Sequence, residues 1–263
     1  MAHFRCWQGN SGLTGVSGGY QVIDMVTPLE APMTRRTAAA LTALAFLLAG
    51  CDPLDVGAAP AGGSGAAVTV DRVPEGTPDA ATAKTELAQL PEGGLGKMDG
   101  YERDCGNGAG CVFGQPWLDV DGDGCDQRNQ VLARDMTDVV RKEGRCAVTS
   151  GTLLDPYTGD TLTSTSKIQI DHVVPLAEMW RSGAAAWTPE RRAAAANDLN
   201  NLLAVTGKVN QSKGDKTPDE WMPPNPAYAC SYARVYVGVK TEYGMSVRAA
   251  ERASLDKSLA TCG

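Results

Sequence analysis

The chain has two histidines, His3 near its start and His172, and the residue types around the second are those that could hydrolyse a phosphodiester. Such a reaction needs a water deprotonated, the added negative charge on phosphorus stabilised and the leaving oxygen neutralised. Imidazole accepts a proton near neutral pH, which suits His172 to the part of general base. Asp171 beside it and Asn210 further on offer oxygen ligands for Mg²⁺ or Mn²⁺, with waters completing the shell; such an ion acts as a Lewis acid and orients the phosphate. Lys213 follows Asn210 by three residues, on nearly the same helical face, and is placed to meet the scissile phosphate. Zinc is disfavoured, because the single histidine beyond the chain's start and cysteines suited to disulfides leave no set of four nitrogen or sulfur ligands. Each residue alone has a plainer reading: a turn or core histidine for the Asp-His pair, a solvated charge for Lys213. Their joint occurrence in this order favours chemistry.

Two short stretches must position these groups. In KIQIDHVVP, residues 167–170 alternate polar and apolar as a half-buried strand does and deliver Asp171 and His172 at its end. In NDLNNLLAVTGKVNQSKGD, residues 202–205 form a second apolar strand, and residues 207–213 turn into a short helix carrying Asn210 and Lys213. Between these halves, residues 175–181 and 189–196 read as helices, with Trp180 and Trp187 as core rather than base-stacking surfaces.

The string Asp171-His172-Val173-Val174-Pro175, then Asn201, then Asn210-Gln211-Ser212-Lys213-Gly214-Asp215, resembles the HNH (ββα-metal) endonucleases, most of all the secreted branch related to the C-terminal domain of GmrSD-type restriction endonucleases. The likeness runs from about Trp117 to Cys262 and takes in DGCDQRNQVLARD, SGTLLDPYTG and DEWMPP. It implies an α+β domain with a small ββα-metal core surrounded by helices. It also implies His172 as general base, Asp171 and Asn210 as metal ligands, and Asn201 as the middle motif residue, bracing the loop and orienting His172 through its carboxamide. The third motif position here is Asn210 rather than histidine.

The chain's start reads as an export signal. Residues 1–32 lack periodicity and look like an over-extended start. Residues 33–50 join a short basic region to an apolar run too short to span a membrane. Its Leu-Ala-Gly-Cys ending resembles a lipobox, which makes Cys51 a lipidation site; the alternative is a non-lipid signal cut elsewhere. Residues 51–97 are rich in Ala, Gly, Pro and Thr and are expected to be a flexible tether, with the folded domain spanning 98–263. The resulting expectation is an exported protein, anchored by lipid on the outer face of the cytoplasmic membrane or secreted.

Six cysteines fall in the domain, and an even number in an exported domain argues for disulfides. Cys105 and Cys111 bracket a Gly-rich loop. Residues 226–243 and 246–261 read as a helical hairpin joined at Gly244, which brings Cys230 to Cys262. Cys125 and Cys146 then pair, provided the helix that begins after Asp126 stops near Val140. An uninterrupted helix to Glu143 would hold its ends about 26 Å apart, whereas bridged Cα atoms lie within about 7 Å. That helix would use Leu132, Met136, Val139 and Val140 as its apolar face, and Arg128 and Arg134 would hold carboxylates such as Asp135 or contact phosphate. Asp119, Asp121 and Asp123 with Gly124 resemble a calcium loop, a second cation site, although Gln130 stands where a bidentate acid is expected. The alternative is an Asp/Gly turn that ends with Asp126 capping the helix. Residues 147–154 and 160–163 read as a strand pair turned by DPYTG.

Charge does not announce a nucleic-acid binder. The chain carries 24 Lys plus Arg against 31 Asp plus Glu; residues 1–50 hold three of those cations and two of the acids, so the remainder carries −8. A local patch from Arg191, Arg192, Lys208, Lys213 and Lys216 would support weak, salt-sensitive, sequence-tolerant binding. The reading is metal-dependent cleavage of DNA, with RNA as a further substrate. The rivals are a catalytically idle surface binding module and a calcium-binding cell-surface protein.

Overall fold

The computed structural model describes residues 71–105 and 111–263. Signal residues 33–50, Cys51 and the leader before them lie outside the described residues. At the centre of the fold, strands β4 (Ile168–His172) and β5 (Leu202–Thr206) pair antiparallel, with Ile168 opposite Thr206 and His172 opposite Leu202. Alternate residues of these strands serve two cores, as the period of two requires. Ile168, Ile170, Leu202 and Ala204 pack with Val131, Leu132 and Leu153 on one side, and Leu203 and Val205 join a larger cluster on the other. That larger cluster is built from the helical hairpin α6 (Ala229–Tyr243) and α7 (Ala249–Leu259), together with α3 (Leu176–Ser182). Helices α4 (Pro189–Ala196) and α5 (Gly207–Lys213) complete the surround; α5 leaves β5 without a loop. Gly207 allows that tight exit, since a Cβ there would meet the Gln169 side chain at 3.1 Å.

Helix α2 (Gln127–Asp135) is capped by Asp126, whose side chain accepts from the Asn129 amide at 2.8 Å. It does not reach Val140. Residues Thr137–Arg141 instead form strand β1, paired with β2 (Val148–Leu154), which in turn pairs with β3 (Thr161–Leu162). The β-branched Thr137, Val139 and Val140 suit a pleated edge better than a helix, and Asp138 at φ 53° marks the irregularity between registers. The hairpin brings Cys125 and Cys146 to a Cα separation of 5.3 Å, and all three pairings form: Cys105–Cys111, Cys125–Cys146 and Cys230–Cys262. Arg134 is structural, with both ends of its fork on Asp135 and further bonds to the Leu199 and Leu202 carbonyls. Asp135 also accepts from the Ala204 amide at 2.8 Å, so α2 is bolted to β5.

The tether expected over residues 51–97 does not hold for its described part. Helix α1 (Ala80–Gln89) is capped by Asp79 and lies against α6 and α7, with Ala83 and Leu87 fully buried. Arg252 donates to the Leu87 and Leu90 carbonyls, Arg234 to Pro78 O at 2.8 Å, and the Tyr228 hydroxyl to Arg72 O at 2.8 Å. Glu92 then bridges Val247 in parallel. Gly238 makes the approach possible, because a Cβ on it would stand 2.6 Å from Pro78. The stretch packs because its small residues permit close approach and its backbone finds partners, although it offers few large side chains.

Candidate active site

The end of β4 and the start of α5 supply the site. Asp171 is buried, and both of its oxygens are engaged: Oδ1 accepts from Lys213 Nζ at 2.8 Å and Oδ2 from the Tyr157 hydroxyl at 2.6 Å. Tyr157 reaches it from the DPYTG turn, where Asp155 accepts from the Tyr157 amide, from Thr158 and from Thr206, fixing the turn onto β5. Burial followed by the Asp171 charge pushes the Tyr157 hydroxyl well up, so it stays a phenol and a donor. Lys213 is fully buried and also donates to the His172 carbonyl at 2.7 Å. Burial works against both charges of the pair, raising Asp171 and lowering Lys213, and each partner opposes that shift in the other. The expectation that Lys213 meets a phosphate therefore fails: its ammonium is enclosed and neutralised, and it positions the Asp171-His172 segment.

His172 is half-buried. Its Nε2 lies 2.8 Å from the Ala196 carbonyl oxygen, which can only accept, so Nε2 carries the proton and Nδ1 is left as the acceptor. Burial, then the charge of Arg103, pushes the imidazole down to about 3, with the Ala196 bond opposing, so at neutral pH the ring is uncharged and Nδ1 carries no proton. Two cavities, of about 900 and 320 Å³, are both lined by His172, Ile170, Leu176 and Arg103. Gln169, Asp171 and Asn210 line the smaller.

Asn201 is fully buried. Its Oδ1 accepts from the Val174 amide at 2.7 Å and its Nδ2 donates to the Val174 carbonyl at 3.0 Å, while its own carbonyl accepts from Val173. It thus braces the exit of β4. The His172 ring is held by Ala196 rather than by the Asn201 carboxamide. Neighbouring amides have other tasks: Asn197 Oδ1 accepts from the Leu118 amide and Asn200 Oδ1 from the Gly76 amide.

For a metal, the donor chemistry fits. The Asn210 Nδ2 donates to Gln169 Oε1 at 3.0 Å, which leaves its Oδ1 as a ligand atom. A carboxylate has about four lone-pair positions, so Asp171 keeps capacity beyond Lys213 and Tyr157. Two oxygen donors on one cavity wall suit a hard cation that retains several waters. At the other proposed cation site, Asp119, Asp121 and Asp123 each place an oxygen within 4.8 Å of one another on the surface. Asp119 accepts from the amides of Gly122, Asp123 and Gly124, and Gln130 Nε2 bridges Asp121 and Asp123 at 2.9 and 3.1 Å. These bonds complete an Asp/Gly turn.

The basic patch is smaller than its sequence suggests. Arg192 donates to the Val112, Ala184 and Trp187 carbonyls and Lys213 is buried, leaving Lys208, Lys216 and Arg191 on the exposed surface, where Arg191 covers the Trp187 ring and donates to Tyr243 O. Trp180 is core, and Trp187 stacks on Tyr243. Sequence reasoning missed Tyr157, Gln169, the Ala196 carbonyl and Arg103, none of which carries a motif signal of its own.

The structure is a mixed α/β, disulfide-bonded domain in which the Asp171-His172 end of β4 and Asn210 of α5 line one cavity. Residues 126–257, about half of the chain, match the GmrSD restriction endonucleases, C-terminal domain, and the chain belongs to that family. A protein of Arthroderma benhamiae described as an uncharacterized secreted protein is 44% identical over 191 residues, which cover 72% of this chain and 89% of that relative. No solved structure matches.

Proposed function

We propose that the protein is an exported, divalent-metal-dependent endonuclease of HNH type that cleaves DNA, and RNA as a further substrate, with little sequence preference. The observation that carries this reading is the imidazole of His172, uncharged and with Nδ1 as its acceptor, on the wall of a cavity that Asp171 and Asn210 also line. In this reading Nδ1 takes the proton of the attacking water, while the Ala196 carbonyl steadies the charge that develops on the ring. Asp171 and Asn210 hold Mg²⁺ or Mn²⁺, which when bound supplies Lewis-acid stabilisation of the phosphate. Lys213 and Tyr157 orient the Asp171 carboxylate, as partners of metal ligands commonly do. Membership of a restriction-endonuclease domain family supports the reaction class, and the secreted relative supports export. A lipid on Cys51 is the proposed anchor, and calcium at Asp119, Asp121 and Asp123 the proposed second ion.

Supercoiled plasmid incubated with the purified protein in Mg²⁺, Mn²⁺, Ca²⁺ or EDTA tests the proposal. Nicking in Mg²⁺ or Mn²⁺ that EDTA abolishes is expected. Nicking unaffected by EDTA would remove the metal from the mechanism. Mn²⁺ isotherms separate the two asparagines: Asn210→Ala should weaken binding, whereas Asn201→Ala should slow turnover with metal affinity retained.

A further inference from the structure

A polyanionic substrate at His172 needs a cation from the protein, and the residue expected to supply it is enclosed. Lys213 is neutralised by Asp171, and of the charged residues in the smaller cavity Asp215 is already paired with Arg181 at 2.9 Å. The charged residues of the larger cavity are Glu102, Arg103 and Asp104. Among the described residues, Arg103 is thus the one Lys or Arg side chain that lines either cavity, and it lines both. Among the described residues, no ion pair engages it.

Its segment is held in place. Tyr101, whose hydroxyl the Arg103 side chain contacts, packs edge-on against Trp180 at 5.8 Å and Phe113 at 6.5 Å. The Glu102 carbonyl accepts from the Val112 amide at 3.0 Å, and the Cys105–Cys111 disulfide closes the loop just beyond. Asn197, immediately after α4 and also on the larger cavity, accepts from the Leu118 amide. An exposed guanidinium on an anchored backbone, beside the imidazole, suits two-pronged contact with a phosphate, because its planar fork loses little freedom on binding.

We infer that Arg103 is the substrate-binding residue that grips a backbone phosphate next to the scissile bond, so that the site is assembled from the family-matched segment 126–257 and from residues 101–105, which precede it. The inference rests on the nuclease reading and deepens it. Acidic neighbours Glu102 and Asp104 limit the grip to one phosphate, consistent with weak, sequence-tolerant binding.

The test is steady-state cleavage of a fluorescein-labelled oligonucleotide by wild type, Arg103→Gln and Arg103→Lys, repeated on substrates carrying one neutral methylphosphonate at each position flanking the cut. Arg103→Gln should raise KM roughly thirtyfold or more, with Arg103→Lys recovering part of the loss. One methylphosphonate position should slow wild type strongly and Arg103→Gln hardly at all, a coupling that a merely structural residue would not produce. The salt dependence of binding, followed by anisotropy in the His172→Ala background, should lose about one unit of slope. Wild-type cleavage with Arg103→Gln unchanged, or equally sensitive at every methylphosphonate position, overturns the inference and leaves the nuclease reading intact. No cleavage or binding of any nucleic acid by wild type overturns both.

Discussion

Lys213→Met removes an ammonium that is fully buried, 2.8 Å from a carboxylate whose side chain is 5% exposed, and it also strips the His172 carbonyl of a donor at 2.7 Å. The Met side chain fills the same volume, so packing is nearly conserved and the electrostatic change dominates. Breaking one side of a buried pair costs about 3–5 kcal/mol, because the remaining charge has lost its solvent and its partner. For a domain of this size each kcal/mol lowers Tm by about 2–4 °C, which gives a fall of about 6–20 °C. Asp171 in the variant can relieve the cost by taking a proton. Burial already raises its pKa, so the folded state of the variant binds that proton more readily than the unfolded one. The loss should therefore be largest at neutral pH and shrink as pH falls toward about 5. Asp171→Asn combined with Lys213→Met removes both charges and should recover most of the stability. Thermal melts by circular dichroism at pH 7 and pH 5, with the disulfides intact, measure all three proteins. A single variant that melts within about 2 °C of wild type, or a double variant no better than the single, would show that Lys213 is not the partner of Asp171.

His172 gives an independent pH signature: its folded pKa of about 3 lies below the unfolded value of about 6.5, so its contribution is fully present above pH 6.5 and is lost as pH falls toward 3. Unfolding free energies of wild type from urea titrations should drop more steeply between pH 6.5 and 4 than those of His172→Gln, by about 2 kcal/mol over the range, and parallel curves would contradict the half-buried neutral imidazole. A chain beginning at Met98 lacks the buried Ala83, Leu87 and Leu90 and should lose about 4–6 kcal/mol relative to one beginning at Asp71, melting early or not cooperatively; equal melts would contradict the packing of α1.

The strands that carry the site were legible because residues 167–170 alternate polar and apolar and residues 202–205 form a short apolar run, and β4 and β5 form there. The disulfide pairs followed from chain geometry, since two helices joined at a left-handed Gly244 must return Cys262 toward Cys230. Helix α1 was not legible: it buries only Ala83 and Leu87 within an Ala-rich stretch, and what holds it is backbone contact with Arg252 and Arg234 from the far end of the chain. The end of α2 was misplaced because Val139 and Val140 continue a helical spacing, and only pairing with β2 turns that stretch into a strand. Lys213 read as a phosphate contact because a lysine is rarely enclosed without a carboxylate, and that carboxylate lies 42 residues away. Arg103 and Tyr157 reach the site by the same kind of long-range closure, which no local pattern encodes.

Whether His172 is the base of a metal-dependent phosphodiesterase is decided by nicking of supercoiled plasmid by wild type and His172→Ala, side by side in Mn²⁺ and in EDTA. The prediction is cleavage by wild type in Mn²⁺, none in EDTA, and a loss of at least about a hundredfold in His172→Ala with unchanged circular dichroism. Equal rates for the two proteins, or no cleavage of DNA or RNA by the folded wild type, would contradict it.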